Sequence, residues 1–323
     1  MRRRETRRST VRYESVSVVT CALTGGVHTP SMSPALPISA DDMIRQGKDA
    51  VAAGAAVLHV HARNPIDGRP DPRPSTYEGF VPALHDETDA IINITTGGST
   101  SMTLEERLAA AVHFEPELAS LNLGSINFVF SAPAKRDREW KFDWERDYLL
   151  SSEDAIFSNT YRQIESTIKT LGDGCGTRFE FECYDVGHLY TLDHFAKRGV
   201  VKPPFLIQMV MGVQGGIGAE ADHLLHLVRT ADRLFGTDYY LSAFGAGRKQ
   251  IPMATQSLLL GGNVRVGLED NLFIGPGELA PDNASQVSKI VAIMAQLGVR
   301  AATPTEVRDL LHLKGRGNTR IAA

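Results

Sequence analysis

Two histidines one residue apart, His59 and His61, are the first candidates for metal chemistry in the sequence. They end an apolar stretch, residues 56–61, that has the length of a β-strand. Because successive side chains of a strand point to opposite faces, both imidazoles would lie on the same face. Zinc binds imidazole nitrogens and carboxylate oxygens, and a catalytic zinc site uses three protein ligands and an open position. The pair indicates either two metal ligands or two histidines that line a barrel.

Two adjacent carboxylates, Glu269 and Asp270, follow another apolar strand near the end of the chain. One carboxylate could bind a cation while the other pairs with an arginine or takes a proton from a substrate. Arg248 follows the preceding candidate strand, so we predict that it lies within reach of Asp270 or of an anionic substrate. A solvated acidic turn and a surface arginine are the alternatives.

Polar side chains also mark three other strand ends. In residues 95–99, Thr-Thr-Gly-Gly-Ser, backbone N–H groups could hold an anion, or the glycines could serve a tight turn. Ser120 and Asn122 share one strand face, as do Glu180 and Glu182, which indicates a site or a polar layer inside a barrel.

A glycine-rich stretch, residues 212–218, follows the sixth candidate strand. Gly215, Gly216 and Gly218 could let a phosphorylated cofactor approach the backbone, but the stretch matches neither a Walker motif nor a complete Rossmann fingerprint.

Apolar segments of strand length alternate with amphipathic helical segments along most of the chain. The predicted strands are 15–23, 56–61, 90–95, 118–123, 178–183, 205–211, 239–244 and 263–266. The predicted helices lie near 40–53, 75–87, 103–113, 153–170, 187–198, 220–235, 250–260 and 284–297. Eight such repeats predict an α/β fold, the closed (β/α)8 TIM barrel, whose active site forms at the C-terminal ends of the strands. A doubly wound sheet is the alternative, but the first strand lacks its glycine-rich turn.

We expect one catalytic domain at 15–323 and a flexible Arg-rich tail at 1–14. Residues 131–152 are too long for a simple loop and are predicted to be an insertion that covers the barrel mouth or mediates an oligomer contact. Thr303 and Glu306 have the spacing of a capping box, with Pro304 at the first helical position, so a last helix is predicted to run through Leu313.

The composition excludes several classes of protein. With 42% hydrophobic and 22% charged residues the chain can form a large core, and a net charge of −4 argues against nucleic acid as a partner. The three cysteines form no CxxC pair, which favours a reducing, cytoplasmic location. No apolar run approaches the roughly 20 residues that span a bilayer, so we expect no membrane partner.

Eight segments in this order resemble the β-keto acid cleavage enzymes, the family that includes 3-keto-5-aminohexanoate cleavage enzyme. They are CALTGGVHTP, GAAVLHVHAR, NITTGGS, ELASLNLGSINF, FEFECYD, GVQGGIG, GAGRKQIP and GGNVRVGLEDN. The resemblance covers residues 15–315. It implies that a β-keto acid and acetyl-CoA yield acetoacetate and a new acyl-CoA through a retro-Claisen step, and it suggests a homotetramer.

The resemblance also assigns roles to the residues that could bind a metal or react. It implies a zinc ion on His59, His61 and Glu269, although these ligands suit other divalent metals. It implies that Arg248 and Asp270 form a dyad that deprotonates the substrate α-carbon. It gives Glu182 a place in the active site.

The substrate contacts follow from the same resemblance. Thr95 and Ser120 stand where the family places hydroxyl groups on the substrate carboxylate, and Gly98 matches a backbone donor to it. Val27, followed by His28, replaces a glutamate that holds the ammonium group of the aminohexanoate substrate. We therefore predict a neutral, apolar or anionic substrate tail.

Two other classes of function stay open at this point. One is another metal-dependent barrel enzyme, either an aldolase-like lyase or a hydrolase that activates water. The other is a protein that binds a metal or an acyl-CoA without catalysis. A turnover assay separates the enzymes from the binding protein.

Overall fold

Eight parallel strands close into a barrel in the order in which they occur along the chain. The computed structural model describes residues 15–321, so the predicted tail at 1–14 lies outside the described residues. The barrel strands are β1 Val19–Ala22, β2 Val57–Val60, β3 Ile91–Ile94, β4 Leu118–Asn122, β5 Arg178–Cys183, β6 Phe205–Met211, β7 Tyr239–Gly245 and β8 Asn263–Val266. The last strand pairs with the first, and the predicted (β/α)8 fold is confirmed.

Helices follow the barrel strands and pack around them. They are α1 Ala40–Ala52, α2 Pro74–Glu78, α3 Val81–Glu87, α4 Leu104–Phe114, α5 Trp144–Ser151, α6 Tyr161–Thr167, α7 Val186–Lys197, α8 Ala221–Phe235, α9 Gln250–Leu259, α10 Asn283–Gln296 and α11 Pro304–Leu311. Within residues 15–321, no helix combines the length and the apolar character needed to cross a membrane.

The interior of the barrel changes from apolar to polar along the strands. At the lower end, Val57, Ile91 and Leu118 belong to one buried cluster that Val307 and Leu311 of α11 close. Because a strand has a side-chain period of two, the inner positions of the next layer are His59 on β2, Asn93 on β3 and Ser120 on β4. The same residues that continue the barrel wall therefore carry polar groups toward its upper end.

Three predicted elements differ by more than their end residues. The strand at 15–23 is interrupted, and Val16–Ser17 pairs with Arg300–Ala301 outside the barrel. The helix at 75–87 is two helices, because Phe80 has a non-helical φ of −140° and a proline opens α3. The helix at 153–170 begins only at Tyr161 and continues as the π-helix Ile168–Asp173.

The last helix begins as predicted but ends earlier. Thr303 and Glu306 form the capping box and Pro304 occupies the first turn. The helix ends at Leu311 rather than Leu313, because His312 adopts a left-handed conformation with φ +52°.

The predicted insertion at 131–152 packs beside the loop that follows β1. Glu145 on α5 is fully buried and accepts hydrogen bonds from the Ser31 amide (2.9 Å) and hydroxyl (2.7 Å). The Tyr148 hydroxyl donates to the Gly26 carbonyl oxygen at 2.8 Å. The insertion therefore lies beside the barrel mouth, and both predicted roles, covering the mouth and mediating an oligomer contact, stay predictions.

Candidate active site

A cavity of about 310 Å³ opens at the C-terminal ends of the barrel strands. This end of a (β/α)8 barrel is where active sites form. Of the residues predicted from the sequence, the cavity is lined by Val27, His28, His59, His61, Thr95, Gly98, Glu182, Glu269 and Asp270. The structure thus gathers residues from five separate strand ends around one space.

The three predicted metal ligands lie side by side in this cavity. Oε1 of Glu269 is 3.4 Å from Nε2 of His59 and 3.5 Å from Nε2 of His61. The ligand atoms of the three residues all lie within 4.8 Å of one another. The second Glu269 oxygen, Oε2, is buried and has no hydrogen-bond partner within residues 15–321. A buried orphan oxygen beside two imidazole nitrogens fits a divalent cation.

The Glu269 carboxyl group is held in its charged form. Burial raises its pKa, but His59, His61 and Arg265 lower it more, so that the pKa lies well below its usual value. The ligand set therefore presents a carboxylate to a cation at neutral pH.

Arg265, on β8, is the cation that the sequence interpretation missed. Its Nε donates to Oδ2 of Asp270 at 2.9 Å, and Nη2 donates to Oδ1 of Asp270 at 3.1 Å and to Oε1 of Glu269 at 2.7 Å. Its Nη1 donates to Oε1 of Glu180 at 3.1 Å and to Oε1 of Glu182 at 3.2 Å. One buried guanidinium therefore connects four carboxylates beneath the cavity.

The predicted pairing of Arg248 with Asp270 is wrong. Arg248 is exposed and lies outside the cavity lining, in the short 3₁₀ helix Gly247–Lys249. After β7 the backbone turns at Gly247 (φ +59°), whose amide donates to the Asp270 carbonyl oxygen at 2.8 Å. The contact with Asp270 is thus made by backbone, and the arginine side chain next to it points away.

The carboxyl group of Asp270 is tuned by its surroundings. Burial raises its pKa to about 7, against the opposing charge of Arg265. Glu182, the predicted active-site glutamate, accepts a hydrogen bond from the Tyr184 hydroxyl at 3.0 Å as well as from Arg265. Asp270 is therefore able to exchange a proton near neutral pH, between a fixed arginine and the open cavity.

The loops after β1 and β3 meet to form one wall of the cavity. A Cβ atom on Gly26 would lie 2.7 Å from the Gly98 carbonyl oxygen, so only glycine fits there. Thr95 accepts a hydrogen bond from the Gly97 amide at 2.9 Å. Thr95 and Gly98 both line the cavity, and their contacts with a substrate carboxylate stay a prediction.

Ser120 does not reach the cavity. It is buried one layer lower in the barrel, where its carbonyl oxygen accepts a hydrogen bond from Thr96 at 2.7 Å. Asn122, two residues further along the same face of β4, lines the cavity instead. The predicted contact of Ser120 with a substrate carboxylate stays a prediction, and Asn122 is the residue of β4 that the structure places at the cavity.

The part of the cavity at Val27 and His28 carries no formal charge. Burial lowers the pKa of His28 to about 4, so its imidazole is neutral. Its Nδ1 lies 2.8 Å from the Leu268 carbonyl oxygen and therefore carries the proton of the ring. Aromatic residues that the sequence interpretation did not assign complete the lining: Phe128, Phe130, Tyr148, Phe157, Tyr184 and Phe244. Of these six residues, only Tyr148 lies in the predicted insertion at 131–152.

The predicted cofactor glycines have a packing role in the structure. A Cβ atom on Gly215 would overlap the Asn127 carbonyl oxygen, and one on Gly216 would lie 2.7 Å from the Tyr184 carbonyl oxygen. Gly218 is similarly crowded by Glu220. The three glycines do not line the cavity, whereas the loop's first residues, 212–214, do. A contact between these glycines and a cofactor stays a prediction.

Comparisons with known proteins identify the family of this chain. A family model described as beta-keto acid cleavage enzyme matches residues 17–313. The chain is 51% identical to 3,5-dioxohexanoate:acetyl-CoA acetone transferase of Paraburkholderia graminis, over 94% of this chain and 97% of that protein. It is 34% identical to 3-keto-5-aminohexanoate cleavage enzyme of Acetoanaerobium sticklandii, over 91% of this chain and 97% of that protein.

The solved structure of ObcA in a binary complex with oxaloacetate matches with a TM-score of 0.66 at 21% identity. It covers 87% of this chain and 68% of the ObcA chain, and it supports the fold alone. Because the family model spans nearly all of the barrel, the chain belongs to the beta-keto acid cleavage enzyme family.

Proposed function

We propose that this beta-keto acid cleavage enzyme acts on a β-keto acid with a neutral, polar tail, of which 3,5-dioxohexanoate is the model substrate. The observation that most supports this proposal is the uncharged end of the cavity, where Val27 lies beside a neutral His28. The 51% identical relative, named for that substrate, supports the proposal. An ammonium group would lack a carboxylate partner at Val27, and an unpaired buried charge is costly.

The proposed reaction exchanges two acyl groups. In the keto acid the bond between C2 and C3 breaks, and the two-carbon carboxymethyl unit joins the acetyl carbon of acetyl-CoA to give acetoacetate. The acyl group that begins at C3 joins the CoA sulfur, so 3,5-dioxohexanoate would yield acetoacetyl-CoA. No oxidant or reductant is needed.

Each cavity residue has a separate role in the proposed reaction. Asp270 takes the proton from C2, and its elevated pKa suits a base that works near neutral pH. Arg265 holds Asp270 through two hydrogen bonds and thereby fixes the direction of its carboxylate. Thr95 and Gly98 bind the substrate carboxylate.

A divalent cation on His59, His61 and Glu269, for which we propose zinc, would polarise the β-keto oxygen and stabilise the developing enolate. Glu182 keeps Arg265 in place from the side opposite Asp270. The co-substrate would enter along the loop after β6, where residues 212–214 border the cavity.

Two coarser properties complete the proposal. We propose a homotetramer, which light scattering would test. We also propose a cytoplasmic location, because Cys21, Cys175 and Cys183 are all free thiols.

The test is a substrate panel with a matched pair of variants. Acetoacetate formation from acetyl-CoA is measured with 3,5-dioxohexanoate, 3-keto-5-aminohexanoate and 3-oxoadipate, which carry neutral, cationic and anionic tails. The wild-type kcat/KM should favour the neutral tail by about 10²-fold or more, because the cationic tail would be left unpaired. Val27→Glu should shift that ratio toward the cationic tail, and Val27→Gln, of similar size but neutral, should not.

Two outcomes would contradict the proposal. A wild-type preference for the cationic tail would show that the uncharged end does not select the substrate. Cleavage that proceeds equally well without acetyl-CoA would favour the aldolase-like lyase or the hydrolase.

A further inference from the structure

Two arginines lie buried behind the cavity wall and contact no carboxylate within residues 15–321. Arg63 follows β2 and Arg107 lies on α4, and they are 3% and 6% exposed. Buried arginines are ordinarily paired with acids, as Arg265 is in the same site. Because no acid of the described chain forms an ion pair with either side chain, Arg63 and Arg107 can attract an anionic ligand.

Arg107 fixes the loop that follows β3. Its Nε donates to the Thr96 carbonyl oxygen at 2.8 Å, and Nη1 donates to the Ser158 carbonyl oxygen at 2.8 Å. Nη2 donates to Oδ1 of Asn159 at 2.6 Å, and the guanidinium lies over the Phe157 ring at 4.6 Å. Every acceptor is neutral, so no carboxylate offsets the charge of Arg107.

Arg63 does the same for the loop that follows β1. Its Nη2 donates to the carbonyl oxygens of Gly25 at 2.6 Å and His28 at 2.7 Å, and its Nε donates to the Thr24 hydroxyl at 2.6 Å. Burial lowers the pKa of Arg63 to about 10, as it does for Arg107, so both remain charged at neutral pH. Glu269 is close enough to act on the pKa of Arg63 but makes no hydrogen bond to it.

The wall between the two arginines is built to meet an anion. The two loops touch at Gly26 and Gly98, and both residues line the cavity. In the described part of the chain the amide groups of Gly26, Val27 and Gly98 donate no hydrogen bond to protein. Free amides backed by positive charge are a common arrangement for binding a carboxylate.

The floor of the same cavity has the opposite sign. Four carboxylates there share one guanidinium, that of Arg265, and they would repel an anionic keto acid. The floor therefore offers an entering carboxylate no uncommitted arginine, whereas the wall has two behind it.

We propose that Arg107 and Arg63 are positioning residues that direct the substrate carboxylate to the Gly26–Gly98 wall by supplying the positive charge behind it. This inference rests on the proposed function, since it assumes a keto acid anion as the ligand. It adds two residues on which the sequence interpretation was silent.

Binding of a charged and a neutral ligand tests the proposal directly. The ligands are acetoacetate and its neutral methyl ester, titrated calorimetrically into metal-loaded full-length protein without CoA. Arg107→Gln should weaken acetoacetate binding about tenfold and leave the ester within about twofold of wild type, because only the anion senses the lost charge. Arg107→Lys, which keeps the charge, should bind acetoacetate within about threefold of wild type.

Arg178 provides a matched control. It is a half-buried arginine at the opposite end of β5, and it donates only to the Pro204 carbonyl oxygen. Arg178→Gln should leave both affinities unchanged. Should Arg107→Gln fail to fold, which thermal unfolding reveals, the same comparison is made with Arg63→Gln and Arg63→Lys.

The outcomes are distinct. Equal weakening of acid and ester, or equal effects of Gln and Lys, would show a merely structural role and overturn the inference. A wild-type protein that binds neither acetoacetate nor its ester, and turns over no keto acid, would instead refute the proposed function.

Discussion

Replacing Arg265 by glutamine tests the most constrained feature of the site. The guanidinium is 2% exposed and is hydrogen-bonded to Glu180, Glu182, Glu269 and Asp270. A glutamine can offer only two donors and no charge to these groups. The change leaves four buried carboxylates without a protein cation in contact.

The expected loss of stability follows from this geometry. Removing one partner of a buried ion pair costs about 3–5 kcal/mol, because the other partner stays buried and uncompensated. At roughly 2 °C per kcal/mol for a chain of this size, the Tm of metal-free Arg265→Gln should fall by about 6–10 °C at neutral pH. Arg265→Lys should recover part of this loss, since it restores charge without the planar fork.

The loss should depend on pH in a definite direction. Burial already raises the pKa of Glu180 and Asp270 while Arg265 is present, so without Arg265 the pKa of both groups in the folded protein should rise further above the unfolded value. Groups with a raised folded pKa bind protons on folding, so stability falls as pH rises through that pKa and is retained below the unfolded value. The difference in Tm between variant and wild type should therefore shrink on going from pH 8 to pH 5.

Activity should fall with stability but for a separate reason. Asp270 loses the two hydrogen bonds that orient it, and misplacement of a reacting group by about 1 Å costs on the order of 10²-fold in rate. Acetoacetate formation by metal-loaded Arg265→Gln should therefore drop by about 10²-fold or more at a temperature where the variant is folded. Arg248→Gln is the matched control and should change the Tm by less than about 1 °C.

The opposite pattern would refute the reasoning. If Arg248→Gln abolished turnover while Arg265→Gln kept it, Arg248 would have to reach the cavity in a conformation unlike this one. If Arg265→Gln lost as much stability at pH 5 as at pH 8, the cost would come from packing and not from uncompensated charge.

Three further outcomes are expected. Titration with a divalent cation should raise the Tm of the wild type but not that of His59→Ala or Glu269→Ala, because a bound cation stabilises only a protein that keeps the side chains that hold it. Dye-monitored melting measures this difference. Between pH 7 and pH 4, the Tm of the wild type should fall more than the Tm of His28→Gln. The pKa of His28 is lowered from 6.5 to about 4, so the stability that the neutral imidazole contributes is complete above pH 6.5 and is lost as the pH falls through 4. Equal losses of Tm would contradict this. Gly215→Ala should be more destabilising in urea unfolding than Gly236→Ala, because both glycines have positive φ but only the first also meets a backbone oxygen.

The fold was predictable because its signal repeats. Three of the eight barrel strands, Arg178–Cys183, Phe205–Met211 and Asn263–Val266, have the predicted bounds. In Arg178–Cys183 and Asn263–Val266 the apolar residues recur at every second position, and Phe205–Met211 is apolar except for one glutamine, so the strand pattern is plain in the sequence. The predicted helix at 153–170 was wrong at its start because Thr160, not an earlier residue, makes the capping box. The start of this helix depends on the local hydrogen bonds of Thr160, which the periodicity of apolar residues does not reveal.

The metal ligands were predictable for a related reason. His59 and His61 lie at the end of a strand, and Glu269 follows another strand, so the closed barrel brings them together whatever the loops do. The cavity's aromatic lining was not predictable, because Phe130 directly precedes the insertion and Tyr148 lies within it, and the path of the insertion depends on contacts such as that of Tyr148 with Gly26. Residues that barrel closure brings together can be predicted from the sequence, whereas residues that come together through the paths of loops cannot.

Arg248 and Arg265 differ in how strictly their place in the chain fixes the direction of the side chain. Arg248 was chosen because it follows a strand, and residues beyond a strand end are free to turn toward solvent, as Arg248 does. Arg265 lies inside β8 between Val264 and Val266, so the period of two already commits it to the interior if the valines pack outward. A buried arginine at an inner strand position is costly unless it is paired, and it therefore implies carboxylates across the barrel interior, which Glu180 and Glu182 on β5 supply. In a closed barrel, an ionic residue within a strand consequently predicts the location of its partners better than one in the loop that follows.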